Sequence, residues 1–349
     1  MELTTLWFGL VTILWLGYLV LEGFDFGVGM CLALIGRNER ERRAMISTIG
    51  PIWDGNEVWV IVAGGAMFAA FPGWYATVFS AFYLPLLVIL VGLIIRVVAF
   101  EYRDHHDDPR WRRRWDLCQI AGSTIPAFSW GLIFGNIVAG LPLNGTGDFT
   151  GSPLDLINPF AVLTGLATMS LFIAHGATFL ALKTTGDLRL RAKRAAGIGG
   201  LVAAVIGVAT LLWLTLSPTT GNRGLVAVCA VIAAAALVFA LLTHRTDHDG
   251  WSFGGTAVAI AGVVLALFIS LYPRLLPSTG GAVTDLTIHN ASASQYTLTI
   301  MSWSALGLIP LVLLYQGWTY WVFRKRVTVE PASVPAGEAV GAATTEVTR

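Results

Sequence analysis

Eight stretches of this chain stay apolar over the length that a lipid bilayer demands. They run at roughly 6–34, 76–100, 118–140, 157–182, 196–217, 224–243, 253–273 and 297–323. About 20 apolar residues in a helix cross the hydrocarbon core, where each backbone N–H and C=O must find its partner within the protein. Eight such runs in 349 residues make the chain an all-α, polytopic membrane protein. Charged residues are only 12% of the total, against about 25% in soluble domains. The net charge of +1 points to no nucleic-acid partner. The first apolar run follows no basic n-region, shows no small-residue cleavage site and continues at membrane length. It is therefore expected to be a retained helix and not a signal peptide.

A ninth segment is ambiguous. "GPIWDGNEVWVIVAGGAMFAAF" (50–71) is apolar in its second half but places Asp54, Asn56 and Glu57 in its first. Loop charge decides its status, because Lys and Arg concentrate in cytoplasmic connectors. The basic connectors are 36–43, 102–115, 183–194, 243–249 and 323–326. Without a span at 50–71, the first two would face opposite sides of the membrane. With it, basic and non-basic connectors alternate along the whole chain. The inside connectors then hold eighteen Lys or Arg, and the outside ones hold Arg223 and Arg274. Nine spans are expected, with the N-terminus outside and the C-terminus cytoplasmic. Residues 327–349, rich in Ala, Val, Thr, Glu and Pro with no apolar face, read as a disordered cytoplasmic tail after a membrane domain over 1–326.

An ionisable side chain within a span costs several kcal/mol (roughly 2.5–3.5 on insertion scales) unless it is paired or hydrated, so it is a functional candidate. Glu22 and Asp25, three apart, share a face of the first helix, and Asp54 and Glu57 repeat that spacing on the second. Both pairs fall in the cytoplasmic half, and Arg96 and Glu101 lie at the cytoplasmic end of the third. Such acids suit a proton path. The plainer alternatives are that Gly50-Pro51 starts a helix, that Asp54 rests in its first turn against the helix dipole, and that Arg96 and Glu101 snorkel to the interface. Gly23 and Gly27, like Gly131 and Gly135, have the small-xxx-small spacing of close helix packing. Asn136 could hydrogen-bond between helices.

Histidine bears on any haem. Five of the six lie in connectors, and only His175 is intramembrane. A membrane haem takes axial His or Met ligands, and Met169 and Met301 are distant from His175 in sequence, so haem ligation by this chain has little support. Cys31, Cys118 and Cys229 have no metal-site spacing and read as small hydrophobes. "NAS" (290–292) matches a glycosylation acceptor, a weak pattern.

Several motifs resemble one family. "EGFDFGVGM", "GRNERERRAMISTIGPIWDGNEVWVIVAGGAMFAAFP", "RVVAFEYR", "NPFAVLTGL" and "SQYTLTIMSWSALGLIPLVLLYQGWTYWVF" closely resemble subunit II of cytochrome bd-type quinol oxidases, over almost the whole chain apart from the tail. The resemblance implies nine helices, arranged as two four-helix bundles plus one peripheral helix. It implies a partner, subunit I, that carries two b-type haems and haem d and holds the quinol-oxidising loop. Together the two subunits oxidise quinol and reduce dioxygen to water with cytoplasmic protons, and small single-helix accessory subunits join some complexes. A hydrophilic path through subunit II is proposed in the family. Its matching positions here are Asp54 in "WDGN" and Glu101 in "FEYR", to which placement adds Glu22, Asp25 and Glu57. Some members hold a structural quinone, which Trp53 would contact. Where the family often has a long insert between helices six and seven, "SPTTGNRG" is short, so the outer face is expected to be flatter. A lone proton-coupled transporter, or a chain that itself carries haem, would also fit the composition.

Overall fold

Helix dominates the computed structural model, which describes residues 2–217 and 220–329. The first helix, α1 (Leu3–Ile35), has 33 residues. At 1.5 Å per residue it is about 50 Å long, and it outruns the ~30 Å hydrocarbon core. A short helix, α2 (Glu39–Ile49), follows where the sequence pattern gives only a basic connector. Asn38 starts it by accepting a bond from the Glu41 N–H at 3.0 Å, and Glu39 and Glu41 occupy the acid-favouring first turn.

The next helix, α3 (Trp53–Ala70), begins two residues after Pro51 and not on it, with Asp54 in its first turn. The expected span at 76–100 is divided. A short α4 (Pro72–Ala81) stops at Phe82, and α5 (Tyr83–Tyr102) starts there. Pro85 explains the break. A proline lacks the N–H of the helical ladder and its ring clashes with the carbonyl four residues back, so a first turn accommodates it at the least cost. Restarting the helix at Tyr83 puts Pro85 in that turn.

Five longer helices complete the order: α6 (Pro109–Ala139), α7 (Pro159–Lys183), α8 (Gly186–Leu216), α9 (Arg223–Thr243) and α10 (Asp249–Leu271). After a two-stranded hairpin, β1 (Arg274–Leu276) and β2 (Leu286–Thr287), comes α11 (Gln295–Val322). The hairpin is antiparallel, with Arg274 opposite Thr287 and Leu276 opposite Leu286. Proline at the first position and a capping side chain set the starts of α6 (Asp108, Pro109) and α7 (Asn158, Pro159). Among the described residues eight helices are long and apolar enough to cross a membrane; α3, at 18 residues, is not among them.

All the basic connectors meet at one end of the bundle. Arg103 bonds Glu39 and Asp116, Arg191 bonds Glu41, and Arg189 and Arg326 bond Asp249. Beyond α11 the chain returns to this end, where the Val327 N–H donates to the Lys183 carbonyl at 2.7 Å. Residues 330–349, the rest of the expected tail, lie outside the described residues. At the far end the Ala293 N–H donates to the Ala70 carbonyl at 2.9 Å and Leu141 pairs with Pro277 at 3.0 Å. There the Asn290 amide serves a turn, accepting from the Thr287 N–H at 2.7 Å.

The centre of the molecule is α1, which packs against α3, α6, α7 and α10. Its contact with α7 is backbone on backbone. A Cβ added at Gly27 would strike the Phe172 carbonyl and lie 2.7 Å from Gly176 Cα. Gly23 faces the Phe172 ring, Gly131 lies against Thr164 and Gly165, and Gly135 against Ala161 and Thr164. In α6, Asn136 donates to the Leu156 carbonyl at 2.8 Å and accepts from Asn158 at 2.7 Å, tying α6 to the chain entering α7. In contrast, α11 rests against α1 and α3 and leaves most of its surface exposed.

Candidate functional site

Toward the basic end, α1, α3 and α5 bring their charged residues together. Arg96 does not snorkel. It is fully buried, and its Nη1 donates to Oε1 of Glu22, which is equally buried. The guanidinium also lies over the Phe26 ring, 4.9 Å from its centroid, and 5.7 Å from that of Phe100, positions that favour a cation electrostatically. The position three residues after Glu22 turns toward α3. Asp25 is fully buried and its Oδ2 accepts from Asn56 Nδ2 at 2.7 Å.

Asn56 is a junction. While its amide nitrogen serves Asp25, its Oδ1 accepts from Gln316 at 3.0 Å and from the Tyr320 hydroxyl at 2.7 Å. These bonds fix the amide's orientation and connect the peripheral α11 to the acid on α1. Glu57, one residue on, is half-buried, with Oε2 enclosed and without a hydrogen-bond partner. It lies within electrostatic reach of Glu22, Arg96 and Asp54.

Asp54 and Glu101 are exposed at the rim. The neighbouring rings, Trp53 and Phe100, stack with centroids 5.2 Å apart and planes within 8°, which sets the start of α3 beside the end of α5. The five acids thus divide into three inside (Glu22, Asp25, Glu57) and two at the mouth (Asp54, Glu101). Around that mouth Arg103 Nε donates to Asp116 at 2.6 Å and Nη2 to Glu39 at 2.8 Å, while Arg42 meets Asp116 at 3.1 Å. Partial burial pushes the Glu41 carboxyl up, but the Arg37 backbone N–H and the Arg191 guanidinium outweigh it and hold the group below its ordinary value.

The sequence reading missed Asn56, Gln316 and Tyr320 as site residues. Gln316 carried a signal, as an amide within the long apolar run of α11. Asn56 is visible in the sequence as an amide between two acids, but nothing local marks it as a junction. The partner of Arg96 had no local signal, because Glu22 is 74 residues away.

The family model described as cytochrome bd terminal oxidase subunit II matches residues 3–323. The chain belongs to that family. Cytochrome bd ubiquinol oxidase subunit 2 of Bacillus subtilis (strain 168) is 42% identical over 329 residues, covering 94% of this chain and 97% of the relative. Cytochrome bd-I ubiquinol oxidase subunit 2 of Escherichia coli (strain K12) is 36% identical over 360 residues, covering 93% and 95%. The solved structure of bd oxidase from Geobacillus thermodenitrificans shares the fold, with a TM-score of 0.75 and 18% identity over 93% of this chain and 100% of that one. The protein is therefore a multi-pass membrane subunit of a bd-type quinol:oxygen oxidoreductase.

Membership in a haem-containing oxidase makes the fit of a haem to this bd oxidase subunit a direct question. His175 is fully buried and stacked on Phe253, with centroids 4.6 Å apart. Its Nε2 faces the Val20 carbonyl at 3.2 Å and its Nδ1 faces the Thr256 hydroxyl at 2.7 Å. A carbonyl only accepts, so Nε2 carries the proton, while Nδ1 faces a Thr256 hydroxyl that also reaches the Phe253 carbonyl at 2.9 Å. Both nitrogens are engaged, and neither suits an axial ligand. Among the described residues no group of three or more His, Cys, Asp or Glu is placed to hold a metal ion.

Proposed function

We propose that this subunit carries no haem itself, supports the haem-bearing subunit I, and offers protons a route from the cytoplasm toward the oxygen-reducing centre. The observation that carries this reading is the grading of the five acids from the exposed Asp54 and Glu101 through the half-buried Glu57 to the enclosed Glu22 and Asp25. Polar groups that deep in a membrane protein are costly and mark pathways. The engaged nitrogens of His175 favour placing two b-type haems and haem d in the partner.

The nine-crossing topology is part of this proposal. In its support, α3 starts beside the basic end at Trp53 and reaches the far end at Ala70, running alongside α1. With α3 counted, two groups of four long helices (α1, α3, α5, α6 and α7 to α10) and the peripheral α11 account for the membrane domain. By loop charge the basic end is cytoplasmic, with the N-terminus outside. The broad apolar flanks of α8, α9 and α11 would meet lipid, subunit I or single-helix accessory subunits. Trp53, partly covered by Phe100, is the side chain a structural quinone would touch.

Asp54→Asn tests the route. It removes the acid at the mouth without disturbing a buried contact. The expected outcome is lower oxygen-reduction turnover in an oxidase that assembles with full haem content. Normal turnover in such an oxidase would refute the path.

A further inference from the structure

The inner acids have a charge balance that the contacts alone do not satisfy. Glu22, Asp25 and Glu57 face a single guanidinium, Arg96, which acts on all three. The remaining groups turned toward them are Asp54, which is a further acid, and the neutral hydroxyls of Tyr18 and Tyr320. With every carboxyl ionised, three negative charges against one positive leave the pocket at minus two. Arginine cannot surrender its proton, and an uncompensated buried charge is costly. The balance can be restored only by protons on the carboxyls or by an added cation.

The hydrogen-bond inventory points the same way. Five atoms of this cluster are buried without a partner: Glu22 Oε2, Asp25 Oδ1, Glu57 Oε2, and Nε and Nη2 of Arg96. Glu22, Asp25 and Arg96 are fully buried. Buried polar atoms are almost always satisfied, and a buried water meets about three such atoms. These orphans on α1, α3 and α5 are the donors and acceptors that the waters of a hydrated pocket would satisfy. Its polar wall is fixed on one side by Asn56, which holds Asp25 through bonds from α11, and on the other by the Glu22–Arg96 pair.

We propose that Glu22, Asp25, Glu57 and Arg96 form a water-bridged proton store that holds two protons among its three carboxyls. The store rests on the proton-route reading above and gives that route its interior station. A proton leaving it is replaced by one arriving from the mouth at Asp54, so the pocket returns to neutrality with no other reactant.

The test is infrared spectroscopy of the assembled, detergent-solubilised oxidase, following the protonated-carboxyl C=O stretch that shifts in D2O. Glu57→Gln and Asp25→Asn each leave two carboxyls against Arg96, which need one proton where the native cluster needs two. Each variant should lose this cluster's band by half, and Glu57→Asp should restore it. Glu57 has no hydrogen-bond partner on its buried oxygen, so its variant decides the matter if Asp25→Asn does not assemble. An unchanged band in the Glu57→Gln oxidase would overturn the store. So would a band that grows when Na+ is withdrawn at constant ionic strength, since a cation would then be the occupant. Turnover is scored separately. Loss of the band with normal turnover in Asp54→Asn keeps the store and refutes the route. An unchanged band with impaired Asp54→Asn turnover keeps the route and refutes the store.

Discussion

Replacing Arg96 with leucine should destabilise the subunit by an amount that depends on pH. In the native fold Arg96 and Glu22 are both wholly enclosed and bonded to each other. Leucine fills part of the volume but leaves Glu22 without a counter-ion, and a buried carboxyl in that position persists only as the neutral acid. Above the value near 4.3 at which a solvated glutamate titrates, taking up the proton costs about 1.36 kcal/mol per pH unit. At pH 7 that is about 3.7 kcal/mol, within the roughly 3–5 kcal/mol typical of removing one partner of a buried pair. At pH 5 it falls to about 1 kcal/mol. Unfolding entropy of about 2.1 cal/mol/K per residue over 349 residues gives about 0.7 kcal/mol/K. The melting temperature should therefore drop by roughly 5 °C at pH 7 and by only 1–2 °C at pH 5. Intrinsic tryptophan fluorescence, to which this chain contributes 13 Trp, can follow the melt of the purified oxidase. In the double variant Glu22→Leu, Arg96→Leu, much of the loss and its pH dependence should vanish, because a buried pair can often be replaced by apolar residues without loss of stability. A single variant that loses the same stability at both pH values would refute the reasoning.

Two further substitutions probe the surrounding frame. Asn56→Leu removes the acceptor of two bonds from α11 and the donor to Asp25; it should cost about 1–3 kcal/mol and speed proteolysis of the chain after Val322, and an unchanged proteolysis rate would contradict the junction. Gly27→Ala places a methyl group against the Phe172 carbonyl and Gly176, forcing α1 and α7 apart. It should lower the yield of assembled oxidase, whereas Gly9→Ala, which meets nothing within 4 Å, should not.

Much of the fold was legible because lipid imposes simple rules. The apolar runs gave the long helices, and the charge of the connectors separated two ends that the ion pairs of Arg103, Arg191 and Arg326 bring into view. The break at Phe82 was written in Pro85 but hidden by continuous hydropathy, and α2 was hidden because a short polar helix resembles a charged loop. In the site, spacing correctly put Glu22 near Asp25 on one helix but could not foresee that they turn to different partners. Arg96 was misread because its sequence position suits a snorkelling side chain. Only the packing of α5 against α6, with Gly122 lying beneath Arg96 Cβ, turns it inward. Long-range partners such as Glu22 with Arg96 or Asn56 with Tyr320 are products of helix packing, and no local pattern encodes them.

The most direct test of the account is purification of the full chain from its native membrane through an affinity tag, with an absorption spectrum of what elutes. The account predicts a second, haem-bearing polypeptide in the eluate, reduced-minus-oxidised bands of b- and d-type haem from the complex, and no such bands from this chain once separated. Haem bands that stay with the separated chain, or elution without any haem-bearing partner, would contradict it.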